Sequence, residues 1–141
     1  MGIHARWEIH DPENLPTNGE LVAETPEDVD RLVALLTEPS AEPASVEHLA
    51  RTRIRSEWSG EIVPDHLMWA LVQRGYGYLL YYSAEHEHCT AVGDAASRAY
   101  HYDYNDFPAG SGISIELFAR AIKEFLATAV RPTCVTWRKT L

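Results

Sequence analysis

Two segments with the periodicity of amphipathic helices enclose a long stretch that has the pattern of strands, and this order limits the folds open to the chain. The first helix is predicted to begin after Thr25, a good N-cap residue, with Pro26 at its first position, and to end before Pro39. Its apolar residues at i, i+3, i+4 and i+7 are Val29, Leu32, Val33 and Leu36. This stripe needs another element to cover it.

The second helix is predicted to start at Ser114, after a loop at residues 108–112 that is rich in small residues. Its apolar face consists of Phe118, Ala121, Ile122, Phe125 and Leu126. The opposite face carries charged side chains spaced four apart, namely Glu116, Arg120 and Glu124. Each of the two helices therefore has one face to bury.

Strand patterns fill the rest of the chain. Residues 67–72 and 78–82 are apolar runs on either side of the turn residues Gly75, Tyr76 and Gly77, which predicts a hairpin near the centre of a sheet. Further strands are predicted at residues 5–9, 20–23, 100–104 and 133–137, whereas residues 44–57 fit either a helix or a strand. Because a regular βαβ alternation is missing, we expect an α+β fold: a single domain over residues 1–141, mainly an antiparallel sheet with the two main helices packed on one face.

The charge balance favours a protein partner over a nucleic acid. The chain has 21 acidic residues against 12 Lys and Arg, a formal net charge of −9, and residues 1–30 alone have a net charge of −7. A surface this negative repels phosphate backbones and anionic lipid, and attracts cationic proteins. We therefore expect no binding to nucleic acid or to a membrane, although solubility explains the acidity equally well.

The sequence also predicts a cytoplasmic location. No apolar run approaches the ~18 residues that a membrane helix needs, and the first six residues lack the apolar core of a signal peptide. The two cysteines, Cys89 and Cys134, stand far apart and in no CxxC pair. We interpret both as buried thiols rather than as a disulfide or a zinc site.

Residues 85–89 place two imidazoles, two carboxylates and a thiol side by side. On a strand, His86 and His88 would share a face and could ligate one metal ion. A tetrahedral site needs further ligands at a recognisable spacing, and the cluster follows a predicted strand directly, so we interpret it as a solvated polar turn. A small metal-dependent enzyme that uses His86, His88 and Cys89 is the rival hypothesis.

Catalytic and cofactor-binding motifs are missing from the sequence. It has no GxSxG, Walker loop, GxGxxG or HExxH pattern, so we expect neither an enzyme nor a cofactor. The loop Gly110-Ser111-Gly112 could bind an anion at the start of a helix, but its composition is typical of a simple turn.

The tyrosine-rich stretch at residues 100–107 has two interpretations. In the first, Tyr100 and Tyr102 belong to a strand whose aromatic face packs under a helix. In the second, the stretch is a patch that binds a basic protein, since tyrosines with flanking acids suit such recognition. Asp103 and Asp106 are harder to bury than the tyrosines, which makes them the best candidates for contacts.

The second half of the chain resembles a known family. A tyrosine-rich strand and a loop that starts at Phe107 precede "EFLATAVRPTCVTW" at residues 124–137, which joins a helix end, an Arg-Pro pair and a near-terminal tryptophan. This is similar to immunity protein family one of bacterial polymorphic toxin systems in its actinobacterial form, whose members tend to end in "EFL.TG.RP" and a strand with a tryptophan. The resemblance covers residues 98–138 and, more loosely, "TPEDVDRL" in residues 25–36. Ala129 stands where the family often has glycine.

The resemblance implies a partner. Members of the family are encoded beside secreted toxins, often nucleic-acid deaminases such as cytosine deaminases, and protect the producing cell. Such toxins present a basic cleft around a zinc-activated water. An acidic protein can occupy that cleft as a mimic of substrate charge or bind beside it and block entry. The alternative is an immunity protein against another toxin class, such as a nuclease.

Contacts to that partner are expected where acids are concentrated in residues 85–106. The candidates are Glu85, Glu87, Asp94, Asp103, Tyr104 and Asp106.

Overall fold

A computed structural model describes residues 1–10, 13, 17–103 and 105–140 of the chain. In chain order these residues form β1 (Ile3–Ile9), β2 (Thr17–Ala23), α1 (Pro26–Leu36), β3 (Ala44–His48), β4 (Arg53–Arg55), β5 (Ile62–Pro64), β6 (His66–Gln73), β7 (Tyr76–Ser83), β8 (Cys89–Ala91), β9 (Tyr100–Tyr102), β10 (Asn105–Phe107), β11 (Ile113–Ser114), α2 (Ile115–Thr128) and β12 (Trp137–Lys139). The predicted α+β class is confirmed.

The main sheet has the strand order β12-β8-β7-β6-β3-β1-β2, with β11 paired to β7, and its pairings within the described ranges are antiparallel. The hairpin of β6 and β7 lies near its middle, as predicted. Two short hairpins, β4–β5 and β9–β10, form separate two-stranded sheets. Residues 44–57, which fitted a helix or a strand, contain the strands β3 and β4.

Local sequence chemistry sets both ends of α1. The Thr25 hydroxyl accepts from the Asp28 N–H, and the Asp28 carboxylate accepts from the Thr25 N–H, so that the first turn has a capping box. Pro26 occupies the first helical position, where a missing N–H costs nothing. The helix ends at Leu36, before Pro39, and its predicted stripe is buried.

The second helix also begins where it was predicted. The Ser114 hydroxyl accepts from the Leu117 N–H at 3.1 Å. The helix ends at Thr128, and its C-cap residue Ala129 has a left-handed φ of 62°, the conformation for which glycine is preferred. Its predicted apolar face is buried except for Leu126, which is half-buried.

Both helices cover the same face of the sheet. Their apolar stripes share one core with the strand residues that point toward them, among which are Ile3, Ala5, Val46, Met68, Ala70, Leu79 and Tyr81. An ion pair between Lys123 and Asp30, 2.8 Å apart, joins the two helices at the surface. The packing of both helices on one face is therefore confirmed. Neither helix of the described ranges is long and apolar enough to cross a membrane.

The predicted turn of the central hairpin was placed too late. Arg74 and Gly75, with φ of 51° and 82°, form a two-residue turn, and β7 starts at Tyr76. Gly77 lies inside the strand, where a Cβ would stand 2.3 Å from the Phe118 ring of α2. The glycine therefore serves helix packing rather than chain reversal.

The tyrosine-rich strand β9 packs on the face opposite the helices, so the prediction that it lies under a helix was wrong. Tyr100 and Phe107 of the β9–β10 hairpin pack on Leu71, Tyr78 and Leu80 of the central strands. The physical reason is that β6 and β7 are apolar on both faces, and the second face also needs a cover. Tyr104 lies outside the described residues.

The C-terminal strand was predicted at residues 133–137 but forms at β12. The Glu124 carboxylate of α2 accepts from the N–H groups of Thr133 and Cys134, which removes them from any strand pairing. Trp137 packs against the main core, as expected, and its indole N–H donates to the Pro132 carbonyl at 2.7 Å. Both cysteines are free thiols: Cys89 is buried as predicted, whereas Cys134 is only half-buried.

Candidate functional site

The predicted contact residues do not meet in one place. Asp94 accepts from the Tyr76 hydroxyl at 2.8 Å, at the start of β7, whereas Glu85 lies just beyond the end of that strand. The strand β7 between them is roughly 23 Å long at ~3.3 Å per residue. Glu87 is ion-paired with Lys139 of the edge strand β12. A single small patch cannot contain all of these residues.

Two of the predicted residues share the β9–β10 hairpin. The Asp106 carboxylate lies 2.6 Å from Nδ1 of His101, and both side chains are exposed. Asp103 occupies the turn with a φ of 50°. Tyr104 follows it, outside the described residues. Of the five candidates that the structure describes, Asp103 is the one that lines the groove described next.

A long groove crosses the sheet face that the helices leave free, and we call it the outer groove. Its floor includes a cross-strand row in which Glu20 is paired with Arg6, Arg6 with Ser45, and Ser45 with Trp69. Because Met68 and Ala70 point into the core under the helices, Trp69 between them points the other way. Its indole is half-buried in the middle of the open face.

The two short hairpins form the walls of the outer groove. At one end, Tyr102 and Asp103 of the β9–β10 hairpin enclose a compartment of about 410 Å³. At the other end, the β4–β5 hairpin encloses a compartment of about 740 Å³ that also contacts Leu67 and Tyr82. A middle compartment of about 430 Å³ lies between them.

The Asp103 end of the outer groove is negative. Burial raises the pKa of Tyr102, as does its hydrogen bond to Glu8, and the charges of Asp103 and Glu42 add to the effect. Within the described residues, no Lys, Arg or His nitrogen lies within 4 Å of a carboxylate oxygen of Glu8, Glu42 or Asp103. The Arg6 guanidinium is paired with Glu20. This end of the groove therefore has an excess of carboxylates around one tyrosine.

The other end is mainly apolar, although Arg55 and Glu57 also line it, and it presents an exposed tryptophan. Trp58 lies at the turn of the β4–β5 hairpin and is 98 % exposed, and Ile54 and Ile62, on opposite faces of that hairpin, are half exposed. The Ser56 hydroxyl accepts from the N–H groups of Trp58 and Ser59, which holds the turn. Large apolar side chains left in water on an ordered turn are typical of protein-binding surfaces.

Sequence reasoning missed Trp58, and only a weak signal could have found it. The run Ser56-Glu57-Trp58-Ser59-Gly60 has the composition of a turn, which would have placed the tryptophan at a loop tip. Glu8 and Glu20 belong to the acidic first thirty residues, but their convergence on Arg6 and Tyr102 depends on strand register.

A buried polar cluster lies at the start of β6. The Arg51 guanidinium binds both oxygens of Asp65 at 2.9 and 3.0 Å, and Nδ1 of His66 lies 2.9 Å from the same carboxylate. The hydrogen bonds from Arg51 lower the pKa of Asp65, and burial lowers the pKa of His66. Because Nε2 of His66 accepts from the His48 N–H at 2.8 Å, the imidazole has no free nitrogen with which to act as a base. This cluster is structural.

The histidines of residues 85–89 are not arranged as ligands of one metal. His88 stacks on Tyr82, with ring centroids 4.4 Å apart, and His86 lies edge-on to Tyr81. Tyr81 and Tyr82 point to opposite faces of β7, so the two imidazoles lie against opposite faces as well. In the part of the chain that the structure describes, no group of three or more His, Cys, Asp or Glu is placed to hold a metal ion.

Polar groups of the glycine-rich loop before α2 are engaged in hydrogen bonds within the protein. The Ser111 hydroxyl donates to the Pro108 carbonyl at 2.6 Å and is buried. The Gly112 N–H donates to the Ser97 hydroxyl at 2.9 Å. These bonds agree with the interpretation of the loop as a turn.

Comparison with known proteins identifies the family. No curated protein matches the chain. The family described as Immunity protein Imm1 matches residues 17–139, a range that contains both helices and every strand named above except β1. The chain therefore belongs to the Imm1 family of immunity proteins.

Proposed function

We propose that this chain binds a cognate secreted toxin, a nucleic-acid deaminase, and neutralises it by covering its substrate cleft. The observation that carries the proposal is the family match over residues 17–139, because an immunity protein acts on a toxin. The chain needs no chemistry of its own for this role. The buried Asp65 and His66 pair, whose imidazole nitrogens are both engaged, is in keeping with a binding protein.

The deaminase class is supported by charge. An enzyme that deaminates nucleic acid handles a polyanion and presents a basic cleft. A chain with a net charge of −9 is attracted to such a cleft over distances of the order of the Debye length, ~8 Å at physiological salt. We expect a one-to-one complex of standard size, which buries ~1,600 Å² in total.

Co-expression tests the proposal. The toxin encoded beside this chain should stop growth when expressed alone, and this chain should restore growth. With purified proteins, deamination of a single-stranded DNA oligonucleotide should fall to background at equimolar chain. The matched control is an immunity protein of another family, which should protect neither cells nor the oligonucleotide.

Two other results would contradict parts of the proposal. If the toxin cleaves the oligonucleotide and leaves its bases intact, the toxin is a nuclease and the deaminase assignment is wrong. If this chain gives no protection from its neighbouring toxin, or itself turns over a substrate, the immunity role is wrong.

A further inference from the structure

We propose that the outer groove is the surface that receives the toxin, and that its occupant is an extended segment with Lys or Arg at the Asp103 end and apolar side chains at the Trp58 end. This inference rests on the proposed function and adds to it the surface and the chemistry of the partner.

The three compartments of the groove adjoin one another. Arg6, Ser45 and Trp69 line both the acidic and the middle compartments. Pro64 and Leu67 line both the middle and the apolar compartments. A partner that contacts the middle compartment is therefore adjacent to both ends.

The dimensions fit a peptide segment. The groove crosses from β7 to β2, four strand spacings of ~4.8 Å, so it is roughly 19 Å long. A segment of about six extended residues has this length.

Charge defines one end of the occupant. Glu8 and Asp103 line the acidic compartment together with Tyr102, and the charge of Glu42 also acts on that tyrosine. The one guanidinium in that compartment, from Arg6, is already shared with Glu20. In the described residues this end lacks a compensating cation, and a Lys or Arg of the partner would supply it.

Apolar contact defines the other end. Trp58 has no covering residue, although a tryptophan gains more from burial than most side chains. It stands beside Ile54, and the compartment below is lined by Leu67 and Tyr82. Tryptophan, tyrosine and arginine are the residue types most enriched among the strong contacts of interfaces, and the groove contains all three.

The opposite side of the molecule lacks this combination of features. A depression of about 480 Å³ lies between α1 and α2, but Asp30 and Lys123 in its lining are already ion-paired, and none of the described residues that line it is aromatic. The exposed large apolar residues within the described part of α1 and the segment after α2 are Leu35 and Val130. The helix surfaces therefore provide matched control positions.

The test measures binding of a catalytically inactive form of the toxin encoded beside this chain, by surface plasmon resonance at low and physiological salt. The groove variants are Trp58→Ala, Glu8→Gln and Asp103→Asn. The helix-side controls are Leu35→Ala for apolar area and Glu27→Gln for charge. All five positions are exposed, so the variants should melt at the wild-type temperature.

We expect Trp58→Ala to weaken binding by about 30-fold or more, mainly through faster dissociation. Glu8→Gln and Asp103→Asn should each weaken it by about 3- to 10-fold, mainly through slower association at low salt. The two controls should stay within about 2-fold. Hydrogen exchange of the complex should show protection at residues 54–62 and at Tyr102 and Asp103.

The outcomes separate the two proposals. If the wild-type chain binds the toxin but the groove variants bind equally well, or the helix-side controls are the ones that lose affinity, the outer groove is the wrong surface and the proposed function stands. If the wild-type chain neither binds the toxin nor protects cells from it, the proposed function is wrong and this inference with it.

Discussion

Replacement of Arg51 by Met should destabilise the protein strongly, although the side chain lies at the surface end of β6. The guanidinium is only 10 % exposed and donates five hydrogen bonds: two to Asp65, two to Glu85 and one to the Ala129 carbonyl. Met has a similar length but leaves the nearly buried Asp65 carboxylate without its cation. Removing one partner of a buried ion pair costs about 3–5 kcal/mol.

This energy converts into a melting temperature. At ~2.1 cal/mol/K per residue, the entropy of unfolding for 141 residues is about 0.3 kcal/mol/K, so a loss of about 4 kcal/mol lowers the Tm by roughly 13 °C. The matched control is Arg6→Met. Arg6 also pairs with a carboxylate, Glu20 at 3.9 Å, but the two side chains are 65 % and 63 % exposed. An exposed pair contributes at most about 1 kcal/mol, or roughly 3 °C.

Thermal unfolding followed by circular dichroism at pH 7 would measure both variants. The double variant Arg51→Met with Asp65→Asn adds a second check, because it removes the carboxylate that the single variant strands, and it should recover part of the loss. Equal melting temperatures for Arg51→Met and Arg6→Met, or no recovery in the double variant, would refute the reasoning that burial makes this pair decisive.

Three further predictions concern stability. Because burial holds the pKa of His66 below 6.5, the unfolded chain binds more protons than the folded chain below that pH. The Tm should therefore be level above about pH 7 and fall as the pH drops below about 6.5. In His66→Gln this slope, measured by calorimetry, should flatten. Gly77→Ala should cost about 1–3 kcal/mol in urea unfolding, since the new Cβ meets the Phe118 ring, and an unchanged midpoint would contradict that clash. Glu124→Ala should cost about 1–3 kcal/mol and increase hydrogen exchange at residues 133–134, whose N–H groups lose their acceptor; exchange at wild-type rates would show that another group accepts them.

Signals confined to a few neighbouring residues predicted the fold well. Thr25, Pro26 and Asp28 are enough to start α1, and Ser114 is enough to start α2, because a cap acts within one turn. The central hairpin was also readable from its two apolar runs. Its turn was misplaced because Gly77 is required by Phe118, which lies 41 positions away in sequence.

Features that depend on contacts between distant elements were not predictable in the same way. The placement of β9 opposite the helices follows from the packing of Tyr100 and Phe107 on both central strands. The late start of β12 follows from a carboxylate of α2. For the candidate site, Asp103 was predicted, but its grouping with Glu8 and Tyr102 needed strand register, and the exposure of Trp58 needed the fold.

The two faces of the central sheet have different roles, because alternate residues of each strand point to opposite sides. Side chains such as Met68 and Leu79 hold the helices, while Trp69 and the two small hairpins stand on the far side. Tyr100 and Phe107 fix the β9–β10 hairpin to the sheet, but Trp58 and Asp103 at the two hairpin turns are exposed and can be exchanged without loss of core contacts. On the proposed binding surface, a few exchanges at these two turns would change which toxin is bound while the scaffold stays the same.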